Sequence, residues 1–226
     1  MEEERLALLE MKETTLKFYD WKNKSITFGH FIKSDEFLVK EALTSLSFDL
    51  AKRPTGGGII FHVNDLSFSL LIPKGSPLFR ENTLDSYRTV NELIGKALKE
   101  VFEEEPTFFE EKRKQTPFCM ASPTIYDLLL FGKKIGGAAQ RRTQAGVLHQ
   151  TSLQLMRVDE AILKATLKDP KEVVEAMRDN SFSKTFKSPL KNLRLELKKS
   201  LTNSFSSLFS HETSLNNDLS SSIFLE

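Results

Sequence analysis

The chain holds a single cysteine, Cys119, in 226 residues. That excludes an internal disulfide, a disulfide-stapled scaffold and a cysteine-rich zinc module. Charge of one sign is also missing. Lys and Arg number 32 against 31 Asp and Glu, a formal charge of +1, so no large field points to nucleic acid. No run approaches the roughly eighteen apolar residues of a membrane span, and the opening residues Met1 to Arg5 are mostly acidic, unlike a signal peptide. A membrane association is therefore not expected, and a reducing, cytoplasmic setting is. One Trp and three Tyr stand beside 18 Phe, a usage that suits core filling better than a binding stripe. Internal repeats are absent. His30, His62, His149 and His211 lack metal-ligand spacing, and no metal site is expected.

What is present reads as a set of strands and helices that lacks the strand–helix alternation of a parallel nucleotide-binding fold. A short helix is expected over Glu2 to Met11. Extended chain follows from Phe18 to Phe28, with a turn at Lys22 to Lys24. Ser34 is placed to cap a helix from about Asp35 to Leu46. Ile59 to His62 and Leu66 to Ile72 alternate as two antiparallel strands joined near Asn64–Asp65. Tyr87, Val90, Ile94, Ala97, Leu98 and Val101 recur at helical spacing over Asp85 to Phe102. Further strands are expected at Ile125 to Leu130, Lys134 to Ala139 and Val147 to Leu155, and helices at Asp159 to Leu167 and Lys171 to Met177. A last helix starts at Ser188-Pro189 with a Leu190, Leu193, Leu197, Leu201 stripe. Beyond it, residues 206–226 read as a Ser-rich flexible tail. The fold class is α+β, a mixed and mainly antiparallel sheet with helices packed on one side.

Three stretches can carry chemistry. In Arg53-Pro54-Thr55-Gly56-Gly57-Gly58, three glycines strip side chains from the backbone, so its N–H groups can face an anionic or carbonyl-bearing ligand. A tight turn is the competing reading. No Gly-Lys-Ser/Thr closes the loop, so it is not a P-loop. In Lys133-Lys134-Ile135-Gly136-Gly137-Ala138-Ala139, a run of small residues in a strand clears space for something slender, such as an alkyl chain. Strand alternation puts Lys134, Gly136, Ala138 and Gln140 on one face; Lys133 reads as solvated. Cys119 reads either as a small buried hydrophobe or as a nucleophile favoured by a nearby cation, with Lys134 the candidate. His149 fits a packed, hydrogen-bonded core histidine, and Asp65 and Asp127 form no recognisable catalytic pair.

These stretches in this order, with Phe61-His62, Tyr126-Asp127 and a weaker match through Leu148-His149-Gln150 to Leu155, resemble the biotin/lipoate A/B protein ligases and octanoyltransferases. The resemblance implies a catalytic domain over 1–205 with the fold of class II aminoacyl-tRNA synthetases and biotin protein ligases, and an elongated acyl pocket. It implies that Lys134 approaches the acyl carbonyl and that Arg53, Gly56, Gly57, Gly58, His62, Gly136, Gly137, Ala138 and His149 bind the acyl or lipoyl group. Cys119 resembles the nucleophile of the Cys-dependent transferases. The implied reaction is transfer of an octanoyl or lipoyl group, through a Cys119 thioester, to the acceptor lysine of a lipoyl domain in a 2-oxoacid dehydrogenase E2 or glycine cleavage H protein. The donor would be an acyl carrier protein or an octanoylated H-type protein, with no cofactor and a monomeric enzyme. The alternative is an ATP- and Mg2+-dependent lipoate ligase working through a lipoyl-adenylate; a third reading is a non-catalytic lipoyl-domain-binding protein. Gln150-Thr151 departs from the His-Gly pair that many members carry, which bears on substrate preference.

Overall fold

A computed structural model describes residues 4, 6–7, 10–80, 82–111, 116–186 and 189–213. The expected helix start at Ser188 and the tail beyond 213 lie outside the described residues, as does much of the expected helix over Glu2 to Met11.

The largest sheet is antiparallel, with strand order β1 (Thr15–Tyr19), β5 (Asp65–Pro73), β10 (Gly146–Gln154), β9 (Gly136–Arg142). Its two central strands, β5 and β10, are buried at every position. Alternation along β5 sends Leu66, Phe68, Leu70 and Ile72 into the main core and leaves Asp65 and Ser67 on the opposite face. Helix α3 (Thr83–Phe102) and helix α6 (Leu190–Thr213) cover the apolar face, with Val90, Ile94, Leu98, Leu197, Leu201 and Phe205 joining that core. The side chain of Asn82 caps α3, accepting from the N–H groups of Leu84 and Asp85. The expected tail boundary at 205 falls inside α6, because Phe205 is fully buried and ties the helix to the core. Helix α2 (Pro77–Arg80) precedes α3 as a short turn.

A second sheet has the order β3 (Asp49–Lys52), β2 (Ser25–Phe28), β4 (Ile59–His62), with β2 and β3 parallel. It builds its own core with helices α1 (Lys40–Ser45), α4 (Glu160–Thr166) and α5 (Pro170–Asn180). A third, small antiparallel sheet joins β6 (Thr107–Phe108), β7 (Leu128–Leu130) and β8 (Lys133–Lys134). Helices thus serve two cores rather than one side of one sheet.

Three local expectations are corrected. The strands either side of Asn64 do not form a hairpin: β4 pairs with β2, while both edges of β5 are taken by β1 and β10. The helix expected over 35–46 is split into a 3-10 turn at Ser34–Glu36 and α1, and Ser34 caps neither. The split arises because Leu38 and Val39 are drawn into backbone bonds with the chain at 166–167. The strand expected from Lys134 to Ala139 breaks at Ile135, whose N–H donates to Leu128. Lys134 therefore belongs to the small sheet and Gly136 starts the large one.

Candidate functional site

The two cores leave between them a cavity of about 340 Å3, a volume typical of small-molecule sites. Both sheets contribute to its wall. Thr27, Ile60 and His62 come from β2 and β4, Gly137 to Gln140 from β9, and Gln150 to Ser152 from β10. The glycine loop, Cys119, Lys134, Asp127 and Tyr87 complete it.

Cys119 is held against the glycine loop by backbone geometry. Its N–H donates to the Ile59 carbonyl at 3.2 Å, and the Ile59 N–H donates to the Pro117 carbonyl at 2.6 Å. Gly58 permits this close approach: a Cβ there would lie 2.2 Å from the Pro117 oxygen. The Gly58 N–H donates to Cys119 Sγ at 3.0 Å. Gly57 has φ +82°, a conformation glycine adopts without strain, and a Cβ on it would meet Arg53 Nη2 at 3.3 Å and Cys119 Sγ at 3.6 Å. The loop is thus a shaped backbone wall around a sulfur.

Arg53 organises that wall. Its Nη1 donates to Thr27 Oγ1 at 2.7 Å, and its Nη2 donates to the carbonyls of Gly56 at 3.2 Å and Gly58 at 2.7 Å. Burial pulls the guanidinium below its ordinary value, and its interaction with Cys119 opposes that pull. Behind Thr27 lies His62, 2.7 Å from it through Nε2. His62 Nδ1 pairs with Asp65 Oδ2 at 2.6 Å, and the same oxygen accepts from Ser67 and Ser152. Burial raises the Asp65 carboxyl, but His62 and the two hydroxyls outweigh it and hold the group below its usual value. Trp21 stacks on the His62 ring, centroids 4.2 Å apart.

Lys134 is 3% exposed. Its ammonium pairs with Asp127 Oδ2 at 2.6 Å and donates to the carbonyls of Cys119 at 2.6 Å and Ser122 at 3.2 Å. A Cβ on Gly137 would stand 3.3 Å from the lysine Cε, so the bare glycine makes room for the lysine stem. Lys133 is exposed and reaches the Asp179 carbonyl.

Of the residues that the family resemblance put forward, Arg53, Gly56, Gly57, Gly58, His62, Cys119, Lys134, Gly137 and Ala138 all line the cavity. Gly136 and His149 do not. The chain break at Ile135 turns Gly136 under Leu153, where a Cβ would approach Leu153 Cδ2 to 2.8 Å. His149 lies fully buried behind the wall, where its Nδ1 accepts from Gln140 at 3.0 Å. Burial holds its pKa at about 3. Several wall residues were missed. Asp127 and Asp65 form no pair with each other, as expected, but Asp127 is a wall residue, and an acid opening the apolar run Leu128 to Leu130 is itself a sign of a buried partner. Gln150 links the loop to the amino-terminal segment, accepting from Thr55 at 2.6 Å and donating to Glu4 at 2.7 Å; no local pattern announces that pairing.

Among the described residues, no group of three or more His, Cys, Asp or Glu side chains is arranged to hold a metal ion. Within the same set, no helix is long and apolar enough to cross a membrane.

The sequence profile of the lipoyl protein ligase A/B catalytic domain matches residues 1–209. The octanoyltransferase LipM of Exiguobacterium sp. strain AT1b is 31% identical over 170 residues, covering 72% of this chain and 62% of that protein. The chain thus spans less than two thirds of the length of such a curated relative. Among solved structures, lipoate-protein ligase A bound with ATP superposes with a TM-score of 0.66 at 21% identity, over 88% of this chain and 74% of that one. A bi-partite lipoate protein ligase from Thermoplasma acidophilum, studied with its E2 lipoyl domain, gives 0.64 at 20% identity, over 89% and 78%. At these identities the likeness is one of fold.

Proposed function

Because the chain belongs to the lipoyl protein ligase A/B catalytic domain family, and so to a family of acyl-transferring and ligating enzymes, we propose that it moves an octanoyl or lipoyl group onto the lysine of a lipoyl domain through a thioester on Cys119. The observation that carries this reading is Cys119 in the cavity wall, with a backbone N–H on its sulfur and Arg53 beside it. A sulfur buried only as a packing group needs neither.

Two steps follow. The Cys119 sulfur attacks the acyl thioester of a carrier; the C–S bond to Cys119 forms, the carrier's C–S bond breaks, and the proton given up by the Cys119 thiol ends on the departing carrier, which leaves as its thiol. The acceptor lysine amine then attacks the Cys119 thioester; the amide forms, the C–S bond breaks, and the amine's proton ends on Cys119. Negative charge gathers on the carbonyl oxygen in both steps, and the Lys134 ammonium is the cation in the wall to meet it. Arg53 and Gly56 to Gly58 shape the loop beside the reacting carbon. Bare Gly137 seats the lysine stem, small Ala138 leaves the adjoining wall clear for the chain, and His62 steadies Arg53 through Thr27. No cofactor enters. The catalytic unit is taken to extend beyond the expected boundary at 205 to the end of α6, the acceptor to be a lipoyl domain and the donor an acyl carrier or octanoylated H-type protein.

A second reading, an ATP-dependent lipoate ligase, draws support from the fold neighbours, one of them described as bound with ATP. ATP would supply an activated acyl-adenylate to the same lysine. Both Arg53 terminal nitrogens and the Lys134 ammonium already donate to protein acceptors, so a phosphate oxygen, like an acyl oxygen, would have to take the place of one of the backbone carbonyls they hold.

The deciding experiment incubates the protein with octanoyl-carrier and no acceptor, then measures intact mass. We expect one octanoyl adduct, removed by hydroxylamine, indifferent to ATP, and missing in Cys119→Ala. No adduct, with ATP-dependent use of free lipoate and near-normal activity of C119A, would replace this reading with the ligase.

A further inference from the structure

We infer that Asp127 is a positioning residue for the reaction: it fixes the Lys134 ammonium and, through it, the peptide that carries Cys119. This deepens the function proposed above and rests on that reading for the role of Cys119, though not for the role of Lys134, which both enzyme readings use.

The geometry is a closed strap. Lys134 has three N–H donors and three protein acceptors: the Asp127 carboxylate and the carbonyls of Cys119 and Ser122. An incoming acyl oxygen can take the place of a backbone carbonyl at neutral cost in charge. It cannot take the place of Asp127 without leaving a buried carboxylate unpaired, since the Asp127 and Lys134 side chains are 2% and 3% exposed. Asp127 is therefore the fixed end of the lysine, and the two carbonyls are the exchangeable end.

Asp127 is itself locked. Oδ1 accepts from the Tyr87 hydroxyl at 2.9 Å, and Oδ2 accepts from the Thr124 N–H at 2.7 Å and the Thr124 hydroxyl at 2.8 Å. Tyr87 comes from α3 and Thr124 from the loop before β7, so the carboxylate is anchored from two directions. Burial, helped by the Asp127 charge, pushes the Tyr87 phenol well above its ordinary value, which keeps its hydroxyl a donor. The lysine that meets the substrate is thereby referenced to the main core, while its other two bonds reach the segment bearing the nucleophile. Loss of the carboxylate frees the ammonium to settle on the Cys119 and Ser122 carbonyls. Substrate would still enter, but the cation would no longer stand at the reacting oxygen.

The test compares Asp127→Asn and Asp127→Glu with the wild-type chain, in whichever activity the wild-type protein displays, carrier-dependent transfer or ATP-dependent ligation. D127N is expected to lower kcat by about 10- to 100-fold, less than the loss usual for deleting an oxyanion donor, with the KM for the acyl substrate within about threefold. D127E, which keeps the charge on a longer arm, should recover part of kcat. Equal kcat in D127N and wild type overturns the inference, and so does a loss confined to KM. Thermal melting accompanies each variant. Should D127N fail to fold, Tyr87→Phe replaces it: this removes the Oδ1 contact and keeps the charge, and a kcat lowered several-fold at unchanged KM is expected. Wild-type kcat in Y87F would then overturn the inference. A wild-type protein that uses ATP and ignores Cys119 would sink the thioester reading and leave this test of Asp127 intact.

Discussion

His149 concentrates a pH dependence in one side chain. It is fully buried, and burial alone brings its pKa from 6.5 down to about 3. With Nδ1 accepting from Gln140, the ring proton belongs on Nε2, which has no partner among the described residues. Below pH 6.5 the unfolded chain binds a proton here that the native protein refuses until about pH 3. Stability is therefore complete above pH 6.5 and falls as the pH is lowered through that window. Between pH 7 and pH 5 the loss should be about 2 kcal/mol. Urea unfolding at both pH values should reveal it in the wild type, and His149→Gln, which cannot titrate, should lack that share. Equal pH dependence in the two proteins would remove His149 as the source. Gly58 is constrained just as tightly by backbone contact, and its neighbour Gly57 by its positive φ.

Helix α3 is the element that joins the fold to the site, since it supplies Tyr87 to Asp127 and the five buried apolar side chains Val90, Leu93, Ile94, Ala97 and Leu98 to the main core. Its start depends on Asn82, whose side chain accepts two orphan N–H groups. Asn82→Ala should lower stability by about 1 kcal/mol, read as a shift in urea midpoint at unchanged slope, with kcat close to wild type. A variant of undiminished stability would mean that the first turn is held by packing alone. This helix was legible from its apolar spacing. The pairing of β4 and β5 was not, because a two-residue link suits a hairpin locally while the edges of β5 are claimed by strands distant in sequence.

At the scale of the whole molecule, two cores meet at a seam and the cavity lies in that seam. The last helix holds the main core shut. Phe205, fully buried, lies 6.1 Å ring to ring from Phe68 on β5, with Leu193, Leu197 and Leu201 on the same stripe. Phe205→Ala should cost about 3–5 kcal/mol, a large share of the roughly 5–15 kcal/mol available to a domain. Equilibrium unfolding measures it directly. A cost under about 1 kcal/mol would mean that the end of α6 is not part of the folded core.

The amino-acid sequence alone determined the α+β class, the long helix and the paired glycine-rich stretches, because each is written in neighbouring residues, and it put forward Arg53, Cys119 and Lys134 as candidates through a loop arginine, a lone sulfur and a cation. Only the tertiary structure decided which face each presents. The break at Ile135 exchanged Gly136 for Gly137 as the residue beside the lysine. The Asp127–Lys134 pair and the Asp65–His62–Thr27–Arg53 chain join residues from separate strands and loops. Their partners are chosen by which polar groups are left buried together once the two cores close, and a buried charge must then be met by whatever donor the packing has brought within reach.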